Sequence, residues 1–175
     1  QSDQDEDAEK GYVRIESGTV SVEAEEDGIQ AETTLQIEGG TISVTSGGAS
    51  NGRTHTESFE MPGMRTTEET SDETSTVSQK GIKAGSAVVI SGGTMTIDAA
   101  DDAVHANGTV EIQGGTLELS TGDDGIHADS SVAIRGGEIT VSESYEGIVG
   151  AQITISGGNI AVTASDDGLN AADGS

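Results

Sequence analysis

Residues 109–128 read TVEIQGGTLELSTGDDGIHA, and related copies of this stretch recur along the chain. The second residue of the Gly-Gly pair lies at positions 93, 115, 137 and 158, so the period is 22 residues and then 21. An earlier pair ends at Gly40, 53 residues before Gly93, and this step equals one period of 22 plus 31 additional residues. The sequence therefore predicts a regular repeat array that one long insertion, at about residues 46–79, interrupts.

Each repeat contains three short runs of alternating apolar and polar residues, one before the glycines and two after them. A period of two and many β-branched residues predict strands, and no apolar stripe has helical spacing. Three strands in about 22 residues are typical of a right-handed, single-stranded parallel β-helix rather than a leucine-rich repeat or a left-handed helix of about 18 residues per coil. We expect an all-β solenoid of about six coils over residues 12–175, preceded by an acidic linker over residues 1–11.

The formal net charge is −25, from 32 acidic and 7 basic residues. So negative a chain is not expected to bind nucleic acid or anionic membranes, and no segment is long and apolar enough to predict membrane insertion. Divalent cations are the natural counterions. The alternative is that the charge only keeps an extracellular protein soluble.

Acidic residues recur just before the Gly-Ile step of most repeats, so stacked coils place them about 4.8 Å apart. Two unit charges about 5 Å apart repel by roughly 3 kcal/mol at an effective dielectric constant near 20, which protonation or a bound cation must relieve. Ca²⁺ accepts irregular shells of oxygen ligands. The predicted calcium ligands are Asp27, Asp101, Asp102, Asp123, Asp124, Glu146, Asp166 and Asp167.

The expected calcium sites lie between neighbouring coils. They combine Asp101 and Asp102 with Asp123 and Asp124, then Asp124 with Glu146, and finally Glu146 with Asp166 and Asp167. Lys80 occupies the acidic position of one coil, so calcium is least expected there. The alternative explanation is that Asp and Gly are simply favoured in turns.

A second column of residues faces outward just after this step and contains Gln30, Lys83, His105, His127, Val149 and Asn170. The two histidines of this column are candidates for a soft-metal pair or for sugar contacts, and a solvated surface ladder is the ordinary alternative. The predicted carbohydrate-binding residues are His105, His127, Tyr145 and Asn170.

The motifs Gly-Gly-x-Ile-x-Val and Asp-Asp-Gly-Ile or Asp-Asp-Gly-Leu, followed by Ala, resemble a family of secreted bacterial carbohydrate-binding domains with a calcium-binding, pectate-lyase-like β-helix. The resemblance implies a secreted or cell-surface protein that binds a polysaccharide or cell-wall glycan, such as acidic polygalacturonate, without cleaving it. It also implies structural calcium at Asp101, Asp102, Asp123, Asp124, Asp166 and Asp167. Departures from the pattern are Lys80, Tyr145 and the Ala103-Val104 step.

A non-catalytic binding module is therefore the first functional hypothesis, with calcium bridging the glycan. A calcium-stapled structural or adhesive surface protein is the second. A polysaccharide lyase is the third, because such chemistry needs a base and only Lys80, Lys83 and Arg135 are candidates. Self-association through an open end of the β-helix is a further expectation.

Overall fold

The computed structural model describes residues 10–50 and 77–172, and within these ranges the chain forms strands and no helix. The strands, in chain order, are β1 (Val13–Ile15), β2 (Thr19–Ala24), β3 (Ile29–Ala31), β4 (Thr34–Ile37), β5 (Thr41–Ser46), β6 (Ile82–Ala84), β7 (Ala87–Ile90), β8 (Thr94–Ala99), β9 (Val104–Ala106), β10 (Thr109–Ile112), β11 (Thr116–Thr121), β12 (Ile126–Ile134), β13 (Glu138–Glu143), β14 (Ile148–Ile155), β15 (Asn159–Val162) and β16 (Leu169–Asn170).

All strand pairs are parallel, and each coil contributes three strands to the stack. Coil 1 has β1 to β3, coil 2 has β4 to β6, coil 3 has β7 to β9, coil 4 has β10, β11 and the start of β12, coil 5 has the end of β12, β13 and the start of β14, and coil 6 has the end of β14, β15 and β16. The second strands form a six-stranded sheet in the order β15-β13-β11-β8-β5-β2. The first and third strands belong to one larger sheet, because β12 and β14 each run from the third strand of one coil into the first strand of the next. The predicted parallel β-solenoid of about six coils is confirmed.

The coils on either side of the insertion pair directly with each other. Leu35 is the register partner of Val88, and Ile42 is the partner of Met95. The additional residues between β5 and β6 therefore leave the stacking unchanged. Residues 1–9 of the predicted linker lie outside the described residues. Residues 51–76 of the predicted insertion also lie outside them.

The core is a narrow column of aliphatic side chains that repeat in register from coil to coil. The third strands, for example, contribute Ile82, Val104, Ile126 and Ile148, all with 0% exposure. Identical or similar aliphatic side chains stack at the coil spacing and fill the interior without aromatic rings.

The second glycine of each Gly-Gly pair has a positive φ, for example +99° at Gly115. A side chain is strained in this conformation, and a Cβ on Gly115 would also lie 3.0 Å from the carbonyl oxygen of Gly93. The second glycine of each pair, from which the period is read in the sequence, is thus required at the first turn of the coil.

The glycine of the Gly-Ile step has a different role, which is to make room for the next coil. A Cβ on Gly81 would lie 2.3 Å from Cγ2 of Ile97. Coil 3 has Ala103 in place of this glycine. In the coil that follows it, Leu119 takes the position that Ile97 has in coil 3. Leu119 branches at Cγ rather than at Cβ, which explains why alanine fits in this coil. The same close approach to a β-branched residue occurs at Gly28 with Val44, Gly125 with Val141 and Gly147 with Val162.

Candidate functional site

The acidic corner, defined as the turn between the second and third strand of each coil, forms a continuous column. Backbone hydrogen bonds link corresponding positions, for example from Gly81 N to Asp102 O at 2.9 Å and from Ala103 N to Asp124 O at 3.0 Å. The position before the Gly-Ile step is occupied, from coil 1 to coil 6, by Asp27, Lys80, Asp102, Asp124, Glu146 and Asp167. The corner residues therefore lie one above another, in the order that the repeat predicts.

Lys80 places a cation inside this column. Its Nζ lies 3.1 Å from Oδ2 of Asp101 and 2.8 Å from Oδ2 of Asp102. Burial alone would lower the pKa of Lys80, but the charges and hydrogen bonds of the two carboxylates outweigh burial and raise it. The lysine ammonium thus contacts two of the carboxylates that the sequence predicts as calcium ligands.

Asp102 is the most buried acid of the corner, with 3% exposure, and the protein satisfies both of its oxygens. Oδ2 accepts from Lys80 Nζ and lies 2.8 Å from His105 Nδ1, while Oδ1 accepts from the backbone N–H of Asp124 at 3.2 Å. Burial raises the pKa of Asp102, but the hydrogen bond to His105 and the charge of Lys80 prevail and lower it to about 2. Asp102 is therefore held as an anion by its own chain.

Asp27, in coil 1, is bound in a similar way by residues that follow the insertion. Its Oδ1 accepts from Ser78 Oγ at 2.6 Å and from the backbone N–H of Lys80 at 2.9 Å, and Oδ2 lies 3.3 Å from Lys83 Nζ. Burial acts to raise the pKa of Asp27, but these contacts together lower it. Coils 1 and 2 are thereby joined by an ion pair at the corner.

Two histidines extend this pattern into coils 3 and 4. His127 Nδ1 lies 2.7 Å from Oδ2 of Asp124, as His105 Nδ1 does from Asp102, and the two rings stack with centroids 4.9 Å apart. The hydrogen bond to Asp124 outweighs burial and raises the pKa of His127. Register pairing places both histidines in the predicted outward column with Gln30, Lys83, Val149 and Asn170.

The corner of coils 5 and 6 lacks such cations among its described contacts. Glu146 accepts a hydrogen bond from Asn170 Nδ2 at 2.6 Å, while Asp166 and Asp167 are exposed. Tyr145 is half-buried, and its backbone N–H donates to the carbonyl of Asp123 at 2.8 Å.

Among the described residues, two groups of acids and histidines have ligand atoms within 4.8 Å of one another. One is Asp101, Asp102 and Asp123, which includes most of the first predicted calcium site. The other is Asp102, His105 and His127. Within the described ranges, no group of three such residues contains Glu146, Asp166 or Asp167.

A groove of about 440 Å³ opens on the third-strand face of coils 4 to 6. His127 and Asn170 lie at its two ends in register, with Val149 and Gly150 forming an apolar floor between them. Asp129 and Glu146 add carboxylates to the lining. A volume of this size, with an apolar floor and a few polar groups, is typical of small-ligand sites.

Sequence reasoning missed the counter-cations of the corner. Ser78 and Lys83 are not among the predicted site residues, and the sequence predicts the weakest calcium binding near Lys80. The signal was available, because Lys80 and Lys83 occupy the register positions of the acidic and outward columns. Asp129 of the groove carries a weak repeat signal, since among the other coils only coil 1, with Glu32 after Ala31, has an acid at this position.

A family model described as "Carbohydrate-binding domain-containing protein" matches residues 1–125 of the 175-residue chain. The chain belongs to this family. No curated protein and no solved structure matched the chain. The family supports a carbohydrate-binding role with a carbohydrate as partner, and it favours a binding module over an enzyme.

The match to the carbohydrate-binding family covers coils 1 to 3 and coil 4 up to Gly125, including the acidic corner up to Asp124 and also His105. The end of coil 4, coils 5 and 6 and every residue that lines the groove lie beyond residue 125 and continue the same repeat in register. The part of the chain that the structure describes contains no helix long and apolar enough to cross a membrane.

Proposed function

We propose that the chain is a non-catalytic, extracellular module that binds a polysaccharide in the groove between His127 and Asn170, with Ca²⁺ as an ionic partner. The observation that carries this proposal is the arrangement of the groove. Polar side chains at both ends are separated by the apolar floor of Val149 and Gly150. A sugar ring presents an apolar face and a rim of hydroxyl groups, and this arrangement complements both.

The charge of the groove bears on the class of glycan. Asp129 and Glu146 both line it, so the carboxylate of an acidic sugar is repelled unless a cation lies between. Ca²⁺ accepts carboxylate, amide and hydroxyl oxygens together in irregular shells. We therefore propose that acidic polysaccharides of the polygalacturonate type bind only when Ca²⁺ bridges them to the groove.

A second calcium position is proposed at the acidic corner of coils 3 and 4, as a structural staple. Asp101, Asp102 and Asp123 bring three carboxylates together, and the ammonium of Lys80 balances only one of these charges. The expected ligands are Asp101, Asp123 and turn carbonyls, and a cation there competes with the contact between Asp101 Oδ2 and Lys80 Nζ. The excess negative charge supports a bound cation, while Lys80 limits how close it lies to Asp102.

The basic residues support a binding role rather than lyase activity. Lys80 and Lys83 are ion-paired with acids of the corner, and Arg135 is paired with Glu111. A lyase base must be available to take a proton from the substrate. Among these three candidates, each is engaged with a carboxylate of its own chain.

The test is calorimetric titration of chelator-stripped protein with CaCl₂, followed by oligogalacturonate and by a neutral oligosaccharide, each with and without Ca²⁺. We expect calcium binding and then calcium-dependent binding of the acidic sugar. Asn170→Ala should weaken sugar binding roughly 5- to 10-fold, the effect of one lost hydrogen bond. The matched control is Asn159→Ala, which alters an exposed asparagine of β15 on another face of the solenoid.

The outcomes separate the alternatives. Calcium binding without sugar binding would leave the calcium-stapled structural or adhesive role. Sugar binding that is indifferent to Ca²⁺, or equal in Asn170→Ala and Asn159→Ala, would reject the proposed bridging groove. Unsaturated products from polygalacturonate would show lyase activity and reject the non-catalytic role. Self-association stays a prediction, which the molar mass from light scattering tests.

A further inference from the structure

The stacked pair of His105 and His127 has a geometry that neither the acidic corner nor the sugar groove requires. The rings lie in adjacent coils with their planes inclined by 31°. Their side chains are partly shielded, with 12% and 28% exposure. One ligand atom of each ring and one oxygen of Asp102 lie within 4.8 Å of one another.

Each ring is oriented by a carboxylate three residues earlier in the chain. Nδ1 of His105 faces Asp102 at 2.8 Å, and Nδ1 of His127 faces Asp124 at 2.7 Å. Such a carboxylate fixes the tautomer with the proton on Nδ1 and leaves Nε2 as the ligating nitrogen, which is how metal-binding histidines are usually held. Asp102 and Asp124 therefore act as positioning residues for the two rings.

Both Nε2 atoms in turn face oxygen atoms. His105 Nε2 lies 3.0 Å from Oδ1 of Asn107, and His127 Nε2 lies 3.3 Å from Oδ1 of Asp129. Both nitrogens of His127 face carboxylates, which only accept, whereas Asn107 can present either its oxygen or its N–H to His105. One divalent ion shared by both Nε2 atoms would accept a lone pair from each ring and would lie beside the carboxylate of Asp129.

We propose that His105 and His127 bind one borderline transition-metal ion, such as Zn²⁺, through their Nε2 atoms, with the carboxylate of Asp129 as a third ligand. Zn–N distances of about 2.0–2.1 Å place two tetrahedral nitrogens roughly 3.3 Å apart. The ring centroids are 4.9 Å apart, so the side chains must incline further toward each other. Imidazole nitrogen selects Zn²⁺, Ni²⁺ or Cu²⁺ over the Ca²⁺ proposed for the corner.

The experiment titrates chelator-stripped full-length protein with ZnCl₂ in the presence of excess CaCl₂, followed by calorimetry and by the imidazole proton signals in NMR. The chain has three histidines, so each signal can be assigned by substitution. We expect one Zn²⁺ per chain and shifts of the His105 and His127 signals only. Loss of a positioning residue already lowers metal affinity about 10- to 100-fold, so loss of a ligating ring should lower it at least about 100-fold.

The test variants are His105→Gln and His127→Asn, because the same outward column already holds Gln30 and Asn170. Asp129→Asn should give a smaller loss, on the order of 10-fold. The matched control is His55→Gln, which removes the remaining histidine and should leave zinc binding unchanged. Zinc affinity retained in both test variants would assign the ion to carboxylates and overturn the proposal, as would a dominant effect of His55→Gln or an absence of zinc binding.

The zinc site shares His127 and Asp129 with the proposed sugar groove, but the two proposals are tested by separate titrations. Sugar binding that fails in the calorimetric test leaves the zinc titration unaffected, and zinc binding that fails leaves the calcium-dependent sugar test unaffected. The circular dichroism of each variant shows that a lost signal reflects a lost ligand and not an unfolded chain.

Discussion

The acidic corner of coils 1 to 4 and the same corner of coils 5 and 6 share one turn motif but differ in how its charge is balanced. In the first region Lys80, Lys83 and two histidines lie against the carboxylates, and Asp102 and Asp124 are buried. In the second region Asp166 and Asp167 are exposed. A stacked column of like charges can thus be neutralised by the chain itself or left to solvent and ligands.

The cations of the first region come from the segment that follows the insertion. Lys80 reaches forward to coil 3 and Lys83 reaches back to Asp27 of coil 1. The coil that departs most from the repeat therefore ties its two neighbours together. Lys80, where the sequence predicts the weakest calcium binding, thus contributes an ion pair that joins coil 2 to coil 3.

The largest expected effect is that of Lys80→Met. This substitution removes an ammonium group that neutralises the corner of coils 1 to 4 and so makes it more like the corner of coils 5 and 6. Removing one partner of a buried ion pair leaves an uncompensated charge and typically costs about 3–5 kcal/mol. We expect a loss of this size in the free energy of unfolding by urea in metal-free buffer. Ca²⁺ should restore part of it, and more than it adds to the unsubstituted chain, because two carboxylates lose their ammonium.

The matched control for Lys80→Met is Arg135→Met, which removes a cation from an exposed pair with Glu111. Exposed ion pairs contribute less than about 1 kcal/mol. Equal losses in the two variants would mean that the corner pair is no more important than a surface pair, and the account of internal neutralisation would be wrong.

A second, smaller difference in stability between the two regions is expected when the glycine that precedes the third strand is replaced by alanine. Gly81→Ala places a Cβ 2.3 Å from Ile97 and should cost about 1–3 kcal/mol, as overpacking usually does. Gly168→Ala meets no atom within 4 Å and should change stability by less than about 1 kcal/mol. Chemical denaturation of the two variants provides the comparison.

Rescue by a compensating substitution sharpens this prediction. Coil 3 combines alanine at this step with Leu119 in the next coil. Ile97→Leu should therefore recover part of the loss in the Gly81→Ala chain. A Gly81→Ala variant as stable as Gly168→Ala would contradict the packing argument.

The fold could be predicted from the sequence because its constraints repeat with the period. Gly115 and its equivalents are needed at a positive φ, and the alternating strands around them must bury one face. Because every coil repeats this pattern of glycines and alternating strands, the register between Ile42 and Met95 can be predicted despite the insertion. The outward column that contains His105 and His127 followed from the same register.

The pairing within the site could not be predicted, since register fixes the height of a residue but not the rotamer of its side chain. Asp124 lies one coil from Glu146, yet its carboxylate contacts His127 of its own coil. Lys80 could equally have pointed into solvent. Its position between Asp101 and Asp102 depends on the burial of both acids, which one coil's sequence does not reveal.

The loss of folding stability at acidic pH gives the last and smallest test of the difference between the two corners. The pKa of Asp102 is about 2 against an ordinary 3.8, so its contribution is present above pH 3.8 and is lost as the pH falls through about 2. A shift of this size corresponds to about 2 kcal/mol. In metal-free buffer, the stability difference between the unsubstituted chain and Asp102→Asn should therefore shrink by about this amount between pH 5 and pH 2. The matched control is Asp167→Asn, at the exposed corner of coil 6. Parallel pH profiles for the two variants would mean that the buried carboxylate of Asp102 is not held as an anion by Lys80 and His105.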